Sequence, residues 1–125
     1  MKKTCQRLNL ETNQYETVEL IGKVRFVGES GNADLTHNKI YNVIGIRNNL
    51  LKIIDDTKDY YLYLPQDGNL ILQKKATGAG FIIIDDFTKD KEIYKVFDIA
   101  KAKLIKQEKS LKNRIIKYLM NKKKK

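Results

Sequence analysis

The hydrophobic positions of this chain follow two periods, one after the other. In Ile21–Gly28, Val24 and Phe26 alternate with Lys23 and Arg25. One face of an extended strand is then apolar and the other wet. A period of two continues through Lys39–Arg47, where Tyr41 and Val43 share one face and Ile40 and Ile44 the other. Leu50–Asp55 and Tyr60–Leu64 follow, both rich in the β-branched and aromatic residues that suit strands. Both faces of Leu50–Ile54 are apolar, as a covered central strand requires. Asn48-Asn49 and Asp56-Thr57-Lys58-Asp59 separate these runs. Asn and Asp tolerate positive φ and hydrogen-bond their own backbone, so both segments predict tight turns. Gly45 interrupts the alternation and predicts a bulge that curls the sheet.

Weaker alternation flanks this meander. Thr4–Leu10 and Tyr15–Leu20 read as a hairpin about Glu11–Gln14. Glu29–Asp34 is a loop by composition, Asn69–Gln73 a closing strand, and Lys74–Gly80 a connector. Phe81–Asp85 is a continuous apolar run that predicts a sixth strand added to a sheet edge. Lys52–Asp59 and Ile83–Asp90 echo one another, KIIDDTKD against IIDDFTKD, over too short a span to be a structural repeat.

From about Thr88 the period lengthens. Ile93, Phe97, Ala100, Leu104, Leu111, Ile115 and Tyr118 fall within roughly 40° of one direction at a helical 100° per residue. Lys95, Lys103, Lys106, Lys109, Arg114 and Lys117 point away from it. The pattern predicts an amphipathic helix with a basic outer face, starting near Thr88. A start near Asp98, with Asp98 as N-cap and Glu92–Phe97 as a strand, is the alternative. The expected organisation is therefore an N-terminal hairpin over 1–20, a barrel core over 21–73, a linker and added strand over 74–87, a helix over 88–120, and a disordered lysine tail over 121–125. The fold class expected is mainly β (α+β), a small barrel with a C-terminal basic helix.

Several segments of the meander carry a resemblance. Leu35-Thr36, Lys39-Ile40-Tyr41, Val43, Ile53–Asp56, Tyr61-Leu62-Tyr63 and Pro65 resemble a family of short bacterial and phage proteins with an LT-x-GK-x-Y-x-V … I-x-DD … YLYP pattern. Lys23–Gly28 is similar to the strand that precedes that pattern. The resemblance spans roughly Ile21 to Leu72 and implies an SH3-like barrel, but no activity, since fold does not give function. Asn38 stands where the family has Gly, Tyr60 replaces an acidic residue, and Leu64 is inserted before the Pro.

Charge adds what periodicity cannot. The chain has 125 residues and a formal net charge of +10, enough for one domain. Residues 101–125 hold 11 basic residues and one acid, Glu108, while residues 1–100 hold 14 of each sign. The whole excess lies on the helix and tail, so an anionic partner meets that end first. A single cysteine, Cys5, permits no intrachain disulfide and fits a reducing cytoplasm. No secretory signal and no apolar run of membrane-spanning length is present. The richness in Lys, Ile and Asn suggests a bacterial or phage source.

Candidate chemistry is sparse. Asp55-Asp56 and Asp85-Asp86 are acid pairs, but neighbours on a strand point to opposite faces, so turn acids are expected rather than a metal or acid–base site. His37 is the sole histidine and has no ligand set around it. A Cys5–His37 dyad is formally available, and a structural thiol is the expectation. Thr77–Gly80 lacks the features of a phosphate loop. No catalytic residue, cofactor or metal is expected. Two binding surfaces are. Lys103, Lys106, Lys109, Arg114 and Lys117 would contact phosphates of DNA or RNA without sequence preference, since lysine supplies charge but no bidentate base reading. Tyr60, Tyr61 and Tyr63 would either pack in the core and across strands or face a protein partner, with Tyr60 the most exposed. The alternative function is then a protein-binding adaptor or a phage-type inhibitor, using this tyrosine face or the apolar stripe of the helix. The helix also offers a route to a homodimer. Membrane docking is the weakest of the helix readings, with no Trp to anchor it.

Overall fold

The computed structural model describes residues 2–30, 34–65 and 80–123. The elements are β1 (Thr4–Asn9), β2 (Gln14–Glu19), β3 (Gly22–Val27), β4 (Ile40–Arg47), β5 (Leu50–Ile54), β6 (Tyr60–Tyr63), β7 (Gly80–Asp86) and α1 (Glu92–Lys123). The protein is a small β-rich α+β fold. β1 and β2 form a separate antiparallel hairpin, and the other strands form one antiparallel sheet in the order β6-β5-β4-β3-β7. Among the described residues that sheet does not close into a barrel, and its edges are β6 and β7. It does curl, because Phe81 N donates to Pro65 O at 3.0 Å just beyond the end of β6. Asn69–Gln73, expected as the closing strand, lies outside the described residues; β7, the strand expected over Phe81–Asp85, is added at the edge beside β3.

The turns take the conformations their residues predict. Asn48 and Asn49 both have positive φ, 52° and 62°, the arrangement a two-residue hairpin of matching twist needs. Asn38, at the position where the resembled family has Gly, has φ 67°. The β4–β5 register shifts between Val43 and Gly45, a bulge where the alternation breaks.

One face of the sheet makes the core. Val24 and Phe26 from β3, Tyr41 and Val43 from β4, Leu51 and Ile53 from β5, Tyr63 from β6 and Phe81 from β7 are all buried, with Leu35 from the β3–β4 connection. Phe81 packs at 5.6 Å from Phe26 and edge-on at 5.9 Å from Tyr63, so it bridges to the opposite edge strand across the curl. Ile93 and Val96 close this core from α1. Ile93 sits over Gly22, where any Cβ would overlap the Ile93 Cδ1 methyl and lie 2.5 Å from the Asp85 carbonyl oxygen.

The hairpin docks through polar contacts. Arg7 Nε donates to Asp59 Oδ1 at 2.6 Å, and Leu8 N donates to Lys58 O at 2.9 Å. Tyr60, expected to be the most exposed tyrosine, lies under this clasp with the Arg7 guanidinium 4.7 Å and the Lys52 ammonium 5.4 Å from its ring.

Candidate nucleic-acid interface

The basic helix is held at its root by one carboxylate. Asp86, the last residue of β7, accepts from Thr88 N at 3.0 Å and from the Thr88 hydroxyl through Oδ1. Its Oδ2 accepts from Ile93 N at 3.0 Å and Tyr94 N at 3.3 Å. Thr88 Oγ1 in turn accepts from Glu92 N at 2.7 Å. Three unsatisfied amides of the first turn are thereby capped from outside the helix. The helix begins at Glu92, between the two expected starts, and Asp98 lies inside it. Lys91 makes the corner, with φ 54°.

The Asp86–Thr88 turn also explains the internal echo. Asp55 Oδ1 accepts from Thr57 N at 2.9 Å and from Thr57 Oγ1 at 2.6 Å, the same i, i+2 arrangement. Asp55 then aligns with Asp86 and Thr57 with Thr88, as the identical letters of the echo place them. The second oxygen differs in use: Asp55 Oδ2 accepts from the Tyr63 hydroxyl at 2.7 Å inside the core. Burial pushes Asp55 up, against the hydrogen bonds from Thr57 and Tyr63. The next acid, Asp56, accepts from Lys39 Nζ at 2.7 Å, Tyr41 Oη at 2.9 Å and Thr36 Oγ1 at 2.8 Å. Both carboxylates of this pair are consumed by the fold. Among the described residues, no group of three or more His, Cys, Asp or Glu converges as a metal site.

These contacts set the acid stability. Burial raises Asp86 and Asp59, but hydrogen bonds outweigh it. Those from Thr88, Tyr94 and Ile93 hold Asp86 below the usual carboxylate range, and those from Arg7 and two backbone amides do the same for Asp59. A depressed folded-state pKa stabilises above the unfolded value near 3.8 and loses that effect as pH falls below it. Asp55 has the opposite sign, so its burden falls as the pH drops. Asp86→Asn is accordingly expected to lower the urea stability by about 1 kcal/mol at pH 7. The gap to the wild type should narrow as the pH falls below about 3.8. A constant gap across that range would show that the Asp86 charge does not matter.

Past its root, α1 leaves the sheet. Ile93 and Val96 are buried and Phe97 packs against the core, and β7 is the strand that α1 packs on most. Lys103, Lys106, Lys109, Arg114 and Lys117 are all exposed. At 100° per residue they occupy an arc of about 140° opposite Ile93 and Phe97. The ion pairs Arg7–Glu16, Arg7–Asp59 and Lys39–Asp56 lie on the hairpin and sheet, away from these five cations. No family model, curated protein or solved structure matches the chain. The chemistry of the helix therefore rests on its own residues. Among the described residues, no helix is long and apolar enough to cross a membrane.

The tyrosines separate. Tyr63, expected beside Tyr61 on a binding face, is instead 1% exposed and bonded to Asp55, because strand β6 ends over the core. Tyr60 is covered by Arg7 and Lys52. Tyr61 is exposed. His37 accepts from Gly28 N through Nδ1 at 3.1 Å and clasps the β3–β4 connection. Burial pushes the Cys5 thiol up, only partly offset by Lys23, which disfavours the thiolate a nucleophile needs. Thr77–Ala79 lie outside the described residues, and Gly80 opens β7.

Two features are not anticipated from the sequence. Asp86 as helix cap is signalled only by the Asp-x-Thr echo. The exposure of the last apolar residues of α1 has no signal, since their spacing continues that of the buried ones.

Proposed function

We propose that this chain is a non-enzymatic binding protein that holds nucleic acid, DNA or RNA, without sequence preference through Lys103, Lys106, Lys109, Arg114 and Lys117. One observation carries the reading. All five cations stand on the outer face of a helix that has left its domain, with no carboxylate partner among the described residues. Lys103 and Lys117 are separated by about 21 Å of helix rise, comparable with about six phosphates along one strand. We read the curled sheet beneath as an open relative of the SH3-like barrel. The contact of Phe81 with Pro65 across its edges and the family resemblance both favour this. The composition supports a bacterial or phage protein of the cytoplasm. The competing adaptor or inhibitor reading retains Tyr61, of its three tyrosines, as an exposed ring, together with the exposed Ile115 and Tyr118 of the apolar stripe.

Mobility shift on random-sequence DNA and RNA tests the proposal. Raising salt from 50 to 200 mM should weaken binding about 40-fold if three cations meet phosphate and about 500-fold if five do. An absence of any shift at 50 mM salt would remove the reading.

A further inference from the structure

The last turns of α1 carry a second surface that phosphate contact does not use. Ile115, Ile116, Tyr118, Leu119 and Met120 are each more than half exposed. They lie about 33 Å of helix rise beyond the buried Ile93, so the sheet does not cover them. At 100° per residue they fill an arc of about 200°, and Lys117 faces the other way. Lys112 and Arg114 precede this apolar cap, and Lys122–Lys125 follow it. Contiguous exposed apolar surface of this kind marks an interaction site.

Its chemistry selects the occupant. A second copy would bring the same basic tail, 11 cations against one acid, alongside the first. A two-stranded seam is also narrower than this arc. Counting heptads from Ile93 and Phe97 places Gln107 and Arg114 at seam positions. A broad apolar arc bracketed by lysines instead suits a helix lying in the plane of an anionic interface. The apolar side chains enter the acyl boundary, and the lysines extend to the headgroups. Each lysine near such a surface adds electrostatic attraction. We infer that Ile115–Met120, with the flanking lysines, docks this protein on an anionic lipid bilayer surface without crossing it.

The inference does not depend on nucleic-acid binding, because the apolar cap and most of the phosphate-facing arc lie on different sides of the rod. Co-sedimentation of the full chain with vesicles at 100 mM salt tests it. Phosphatidylcholine vesicles containing 30% phosphatidylglycerol are compared with phosphatidylcholine alone. Pelleting is expected with the anionic vesicles and at least tenfold less with the neutral ones. The double variant Ile116→Ser, Leu119→Ser should reduce anionic-vesicle binding by at least about tenfold. Its circular dichroism and its mobility shift should stay within about twofold of wild type, since no charge changes. Equal pelleting by both vesicle types, or by neither, overturns the inference. So does full vesicle binding by the double variant. A wild-type dimer in sedimentation velocity that the double variant abolishes also overturns it, because the cap would then belong to a second copy.

Discussion

With Lys103, Lys106, Lys109, Arg114 and Lys117 all replaced by glutamine, affinity for a random-sequence duplex at 50 mM salt is expected to fall at least about 10³-fold. The magnitude comes from counterion release. A cation that meets phosphate contributes about 1.2 decades at 50 mM, relative to 1 M salt where the effect has vanished. The five cations spread over an arc of about 140°, so a straight duplex meets about three of them at once. Three contacts make about 3.5 decades, and bending of the nucleic acid or rotation of the rod adds to that. The substitution should not disturb the fold. All five side chains are exposed, none is ion-paired among the described residues, and glutamine propagates a helix about as well as lysine. The readout is a titration of wild type and variant, with helicity followed by circular dichroism. Affinity within threefold of wild type, at unchanged helicity, would move the phosphate contacts elsewhere on the molecule. The salt slope provides a second check: it should be shallower in the variant, because fewer phosphates are neutralised and fewer counterions released.

The second large effect lies at the root of the rod. Gly22→Ala is expected to destabilise the protein by about 3 kcal/mol, a large part of a typical domain's stability. The new methyl would overlap Ile93 Cδ1 and approach Asp85 O to 2.5 Å. The isoleucine can rotate away, at the expense of its burial. The carbonyl cannot, because Gly22 and Asp86 are paired in the β3–β7 ladder. Relief requires the edge strand and the helix it leads into to shift together. Thermal unfolding should show the loss as a fall of roughly 15 °C in Tm. Ile93→Val removes the Cδ1 methyl at a cost of about 1 kcal/mol. Combined with Gly22→Ala, its effect should be less than additive. Strict additivity would mean that the alanine is accommodated without touching Ile93. Since the cations lie beyond this anchor, the change should act on stability far more than on polyanion affinity.

Much of the architecture can be read from residue order. Period-two alternation places Val24 and Phe26, and Tyr41 and Val43, on shared faces, and these faces form the core. Asn48-Asn49 specifies its turn because few residues accept positive φ at two successive positions. The lopsided charge needs no coordinates at all, only a count.

Periodicity says which side chains share a face; it does not say what stands opposite. Tyr61 and Tyr63 alternate alike, yet one is exposed and the other buried, because only Tyr63 lies where Phe81 crosses from the far edge of the sheet. Ile93 and Ile115 occupy nearly the same direction on α1, yet one closes the core and the other stands exposed. Ile93, Val96 and Phe97, in the first two turns of the helix, are the described α1 side chains that pack on the core. An intrinsic pattern is local, set by 3.6 residues per turn or two per pleat. Burial is a property of two surfaces meeting, and the second surface comes from residues distant in the chain.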